Sequence, residues 1–118
     1  MSCTGETLAR VAPAVQAEVQ PRLRGLFGGF VRAYLPQTWV FRTELDAASL
    51  TVDAQGVAAT VPHELEAPDV TVELPHGQLA ELLATRGRRR PPAGTVKVTA
   101  HTSKGRAALG YLGPRLGL

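Results

Sequence analysis

The segment Pro68-Asp-Val-Thr-Val-Glu-Leu-Pro75 begins the stretch that decides the fold, which continues to Leu112. Val70, Val72 and Leu74 alternate with polar residues in this segment, which predicts a strand with one apolar face. The elements predicted after this strand are an apolar helix over 77–84, a strand over 94–100, and a helix that Thr102 or Ser103 caps and Gly113-Pro114 ends. This order favours helices packed against a sheet.

Three more strands are predicted upstream, where the spacing of apolar residues changes to two. The first places Trp39 and Phe41 on one side, and the next two flank the turn Asp53-Ala-Gln-Gly56, which predicts a hairpin. Strands after the first combine an apolar with a polar face, so one side of the sheet should be covered and the other solvated. The prediction is an α+β fold with a five-stranded, largely antiparallel sheet and helices packed on one face.

The N-terminal third is predicted to be helical. Its best evidence is a continuous helix face formed by Leu23, Leu26, Phe27, Phe30, Val31, Tyr34 and Leu35. Upstream, Pro13 and Pro21 would each remove an amide donor from a helix interior, so we expect a kinked or short first helix that opens near Pro13 and a new one that starts near Pro21. The length of 118 residues predicts one domain, with a variable helical segment over 1–20 and a core over 21–113.

Basic charge is concentrated in one segment of the chain. The formal net charge is +3, yet Arg86, Arg88, Arg89 and Arg90 lie within five positions. This cluster is interpreted as a contact for anionic lipid head groups, nucleic-acid phosphates or an acidic protein, or as a solvated charge run. No aromatic residue is interleaved with the arginines, which argues against nucleic acid. Transient contact with an anionic membrane surface stays a candidate.

The cysteine content and the N-terminus indicate a cellular compartment. Cys3 is the single cysteine, which excludes an intramolecular disulfide and favours a reducing environment. The first residues lack the pattern of a signal peptide, and no apolar run approaches the roughly 20 residues of a membrane-spanning helix. We expect a cytoplasmic protein.

Motifs for catalysis or for cofactors do not emerge from the sequence. His63, His76 and His101 lie in three separate connections without metal-ligand spacing. No nucleophile elbow is present, and Ser49 and Ser103 fall in strand and cap positions. The sequence therefore predicts no metal, no cofactor and no enzyme activity.

The order of elements resembles the sterol carrier protein (lipid-transfer) domain over residues 20–113. The resemblance lies in a helical N-terminus, a Trp/Phe strand, a hairpin, the segment 68–74, the helix Leu79-Ala-Glu-Leu-Leu83 and the strand Gly94-Thr-Val-Lys-Val98 before a final helix. Thr95 stands where the family has a lysine, and His101 near a usual glycine, which indicates a divergent, prokaryotic-type member.

The resemblance implies a tunnel between sheet and helices that binds sterols, fatty acids or acyl-CoA. The apolar wall would comprise Phe27, Phe30, Tyr34, Trp39, Leu79, Leu82, Leu83, Leu109, Tyr111 and Leu112. Most apolar positions of helices on a sheet are packing positions. A second hypothesis is therefore a non-catalytic interaction or accessory module that keeps the fold and fills the tunnel with side chains.

Overall fold

The computed structural model describes residues 3–10, 12–23, 34–85 and 94–116, and these residues form helices and strands. In chain order they are α1 (Cys3–Ala9), α2 (Ala12–Leu23), β1 (Gln37–Arg42), β2 (Ala47–Val52), β3 (Ala58–Val61), β4 (Val70–Glu73), α3 (His76–Thr85), β5 (Lys97–Ala100) and α4 (Ser103–Leu116). The predicted α+β class is confirmed.

The five strands form one mixed sheet in the order β3-β2-β1-β4-β5. Strands β1 and β4 are parallel, and the other three neighbouring pairs are antiparallel. Trp39 on β1 is opposite Leu50 of β2 and Val70 of β4. The indole therefore lies on the central strand of the sheet.

The predicted hairpin joins β2 and β3. Gly56 has a φ of 79°, a left-handed conformation that costs glycine little. Its N–H donates to the carbonyl of Asp53, and the Asp53 carboxylate accepts from the N–H groups of Gln55 and Val57. An aspartate that bonds the backbone ahead of it is typical of such turns.

The inward face of the sheet carries the apolar core. Its buried strand residues are Trp39, Phe41, Ala48, Leu50, Val52, Val70 and Val72. Helix α1 packs on β2 and β3, α2 packs on β3, and α4 packs on β5, β4 and β1. Leu8 of α1 is completely buried in the same core. The helices thus cover the inward face from both ends of the sheet.

The opposite face is less solvated than the sequence indicated. Val40, Ser49 and Thr71 share a row on this second face, and all three are buried. The connection after β3 accounts for part of this burial, because the Ser49 hydroxyl donates to the carbonyl of His63 and accepts from the N–H of Leu65. The expectation of a wet second face is therefore wrong near Ser49.

Three element boundaries differ from the prediction. Helix α2 continues through Pro21, and α4 continues through Gly113-Pro114, so neither proline starts or stops a helix there. A proline near a helix end removes a single backbone hydrogen bond, which the remaining turns tolerate. Strand β5 begins only at Lys97, because Gly94 has a φ of 81° in the turn before it.

The first turn of α4 is fixed to the sheet at Asp69. Thr102 is the residue that caps α4, since its hydroxyl accepts from the N–H of Gly105 at 2.9 Å and donates to the Asp69 carboxylate at 2.7 Å. The other carboxylate oxygen of Asp69 accepts from the N–H of Thr38 at 2.9 Å. Strand β1, the start of β4 and α4 thus meet at one buried carboxylate.

Gly105 permits this close approach. A Cβ at position 105 would lie 2.3 Å from the carbonyl oxygen of Asp69, whereas a Cβ at Gly110 of the same helix would meet nothing within 4 Å. We predict that Gly105→Ala lowers the free energy of unfolding by about 1–3 kcal/mol through steric strain. Gly110→Ala, the matched control, should raise it by up to about 1 kcal/mol through helix propensity. Urea unfolding measures both, and equal effects would contradict the prediction.

Candidate ligand-binding face

Trp39 lies at the middle of the inward face. Only 3% of its surface is exposed, and its ring stacks on Phe41 with centroids 6.4 Å apart. Both side chains point to the same side because they are two residues apart on one strand. They form a rigid aromatic floor for whatever lies between the sheet and the helices.

Gln37 connects Trp39 to α4. Its side-chain oxygen accepts from the indole N–H of Trp39 at 3.1 Å. Its amide nitrogen donates to the carbonyl of Tyr34 at 2.6 Å and to that of Lys104, in the first turn of α4, at 2.9 Å. One acceptor and two donors are used, and among side chains of this length only a glutamine amide offers this combination. We call this arrangement the Gln37 clamp.

Four of the predicted wall residues have described side chains, and they differ in burial. Trp39 and Leu79 belong to the buried core, Leu109 packs against that core from α4, and Tyr34 is 43% exposed. The inward face therefore brings Trp39, Leu79 and Leu109 into one apolar cluster. Tyr34 contributes its backbone carbonyl to the Gln37 clamp.

The other predicted residues lie outside what the structure describes. Phe27, Phe30, Arg86, Arg88, Arg89 and Arg90 are not described, nor are the side chains of Leu82, Leu83, Tyr111 and Leu112. Their roles stay predictions.

Burial of the inward face decreases toward β5. Val70 and Val72 on β4 are completely buried, whereas Val98 and Ala100 beside them on β5 are only partly buried. Val96 and Leu109 are partly buried as well. The apolar surface thus continues across β5 and onto α4 but is incompletely covered there.

An open groove of about 490 Å³ lies where β1 and β4 end, and Arg42, Glu44, Glu73 and Leu74 line part of it. The Arg42 guanidinium donates to Glu64 and, at 3.0 Å, to Glu73. The hydrogen bond from Arg42 to Glu64 lowers the pKa of the Glu64 carboxyl. Two carboxylates thus already neutralise Arg42, so this described residue of the groove does not present a free cation to an anionic ligand.

The histidines and Ser49 are engaged in structural hydrogen bonds. A ring nitrogen of His76 lies 3.0 Å from the Thr7 hydroxyl, one of His101 lies 2.9 Å from the Thr71 hydroxyl, and His63 contacts the carbonyl of Glu64. Each contact ties two segments of the fold or closes a local turn. They explain these residues without chemistry on a substrate.

Two residues of this region escaped sequence reasoning. Gln37 was not recognised as polar support for Trp39, although the spacing of two on a strand places both on one face. Asp69 has no predicted role in the sequence, yet it is buried and bonds to Thr38 and Thr102. Its position directly before a strand and after a proline gave no signal of these distant partners.

No helix in the described part of the chain has the length and apolarity to cross a membrane. No protein-family model matches the chain, and no curated protein matches it.

Solved structures similar to the chain include two that match most of it and a third that matches about two thirds of it. Sterol Carrier Protein 2 from Yarrowia lipolytica in its apo form is 12% identical, with 93% of this chain and 95% of that chain covered and a TM-score of 0.43. Sterol Carrier Protein 2 Like 2 from Aedes aegypti is 17% identical, with 87% and 97% covered and a TM-score of 0.44.

The third structure is a stereoselective inverting sec-alkylsulfatase from a Pseudomonas species. It is 28% identical, with a TM-score of 0.48, over 65% of this chain. The present chain spans only 13% of the sulfatase chain.

The Arg42–Glu64 pair predicts a small acid dependence of stability. The folded-state pKa of Glu64 lies below its ordinary value of 4.5, so its contribution is present above that pH and is lost as the pH falls through the folded pKa. Glu64→Gln should therefore lower thermal stability at pH 7, by less than about 1 kcal/mol because the pair is exposed, and the difference should vanish in acid. Glu66→Gln, in the same connection and also exposed, is the control. A deficit that persists in strong acid, where the Glu64 carboxyl is protonated in the folded state too, would contradict the assignment.

Proposed function

We propose that this chain binds or carries an apolar small molecule, of lipid, fatty-acyl or sterol-like character, between the inward face of the sheet and the helices. The observation that carries the proposal is the incomplete cover of that face at β5 and α4. Val96, Val98, Ala100 and Leu109 present apolar surface beside a fully buried core. A ligand along these residues would complete their burial.

The energetics of such a site are sufficient for reversible binding. Each buried methylene contributes about 0.8 kcal/mol, so about ten of them give a gross term near 8 kcal/mol. Association and ordering oppose this term. An affinity in the micromolar range, which suits a carrier that must also release its ligand, is the expected outcome.

The role is one of binding and not of catalysis. The described histidines and Ser49 bond within the fold, and Arg42 is paired with two carboxylates. These contacts leave the apolar face as the feature that a ligand would recognise. We expect the protein to act in the cytoplasm as a single domain.

The four arginines of the segment 86–90 would assist delivery. Each basic residue near an anionic bilayer contributes about 1 kcal/mol, so the segment could guide a carrier to a membrane without holding it there. This part of the proposal rests on the sequence alone.

Binding is tested with an anthroyloxy-labelled stearate as the fluorescent probe. Trp39 is the single tryptophan of the chain, so energy transfer from its indole to the probe reports binding near the inward face. We predict that Val98→Glu weakens probe binding by about tenfold or more, because a carboxylate would have to be buried against the ligand. Thr99→Glu is the matched control, since Thr99 is the next residue and points to the opposite face.

Equal affinities of the two variants would place the probe away from β5. Absence of binding by the folded wild-type protein at saturating probe, together with no lipid in an organic extract, would refute the carrier proposal. The accessory module with a filled interior would then be the better account.

A further inference from the structure

We propose that Gln37 is a positioning residue that couples the buried Trp39 indole to the first turn of α4, so that the core anchors the helix whose movement over β5 admits an apolar ligand. This inference rests on the proposed function and names the device that controls exchange at the same site. Its structural part, the coupling itself, holds for the ligand-free protein as well.

The polar side chain of Gln37 is buried on an apolar face. Gln37 is only 3% exposed and faces the same side as Trp39 and, across the register, Val52. Burying an amide without partners would cost several kcal/mol. All of its hydrogen bonds therefore have to be made together, and a displacement of one partner disturbs the others.

Two of the hydrogen-bond partners of Gln37 belong to different elements. One is a side chain on the ligand face, the Trp39 N–H, and another is a backbone carbonyl in the first turn of α4, that of Lys104. The Lys104 ammonium in turn donates to the carbonyl of Pro36 at 2.8 Å and lies 3.8 Å from the carboxylate of Asp69. The start of β1 and the first turn of α4 are thus bonded in both directions.

The part of α4 beyond the first turn packs on the core. Ala108 is buried there, and Leu109 is partly buried against the same core. A rotation about the fixed first turn would move this part of α4 over β5. The Gln37 clamp lies at that pivot, next to the indole.

The coupling is tested in the ligand-free protein by a double-mutant cycle. Gln37→Met keeps the length of the side chain without its hydrogen bonds, and Trp39→Phe keeps a ring without the N–H. The readout is amide hydrogen exchange of the first turn of α4. Each single variant should speed exchange there by about tenfold, and Trp39→Phe should have no further effect in the Gln37→Met background, because coupled residues are non-additive.

Phe41→Leu is the control for this cycle. Phe41 stacks on Trp39 but makes no bond to Gln37, so its effect on α4 should add to that of Gln37→Met. Additive effects of Gln37→Met and Trp39→Phe would overturn the coupling. Circular dichroism checks folding, and the milder Trp39→Phe decides the question alone if Gln37→Met does not fold, since unchanged α4 exchange in it would also overturn the coupling.

Probe release tests the functional consequence. Gln37→Met should release the labelled stearate about tenfold faster than wild type, as expected when a cover helix loses its anchor. An unchanged release rate, with binding intact, would overturn the gating role and leave the carrier proposal standing. If wild type binds no probe, the carrier proposal fails, while the hydrogen-exchange cycle still decides whether Gln37 couples Trp39 to α4.

Discussion

The rest of the structure depends on the junction where the first turn of α4 meets the first residues of β1 and β4. Asp69 accepts from the backbone of Thr38 and from the hydroxyl of Thr102, and its own carbonyl accepts from the N–H of His101. A buried carboxylate is tolerated only when its oxygens are satisfied, and these partners come from two segments of the chain, β1 and the start of α4. The junction therefore fixes the parallel pairing of β1 with β4 and the position of α4 in one step.

Polar contacts at this junction add specificity to a core that is otherwise built from apolar residues. Apolar packing of Val70, Val72 and Leu79 is non-directional and would accept several positions of a helix on the sheet. The hydrogen bonds of Gln37 and Asp69 select one of them, because amide and carboxylate partners must align. The close approach of α4 to the Asp69 carbonyl leaves no room for a side chain at Gly105.

Local patterns predicted the elements of this fold well, whereas contacts between distant segments escaped them. Alternation of apolar residues located all five strands, and the Asp53–Gly56 turn identified the hairpin. The sequence does not predict the continuation of α2 through Pro21 and of α4 through Pro114, because a proline near a helix end removes only one hydrogen bond, which the remaining turns tolerate. For the candidate site, Trp39, Leu79 and Leu109 were found as apolar residues, but the supporting role of Gln37 depends on Lys104, 67 positions away.

The uneven cover of the inward face follows from this arrangement. Helices α1 and α2 pack over β2 and β3, where Leu8 and Val15 are buried, and α4 packs over β5, β4 and β1 with its first turn bonded to Gln37 and its cap to Asp69. Val98 is only partly buried because β5 is an edge strand. A face that is rigid at its centre and loosely covered at one edge meets two requirements of a carrier, since the ligand surface stays preformed while only a small part of the fold has to move for exchange.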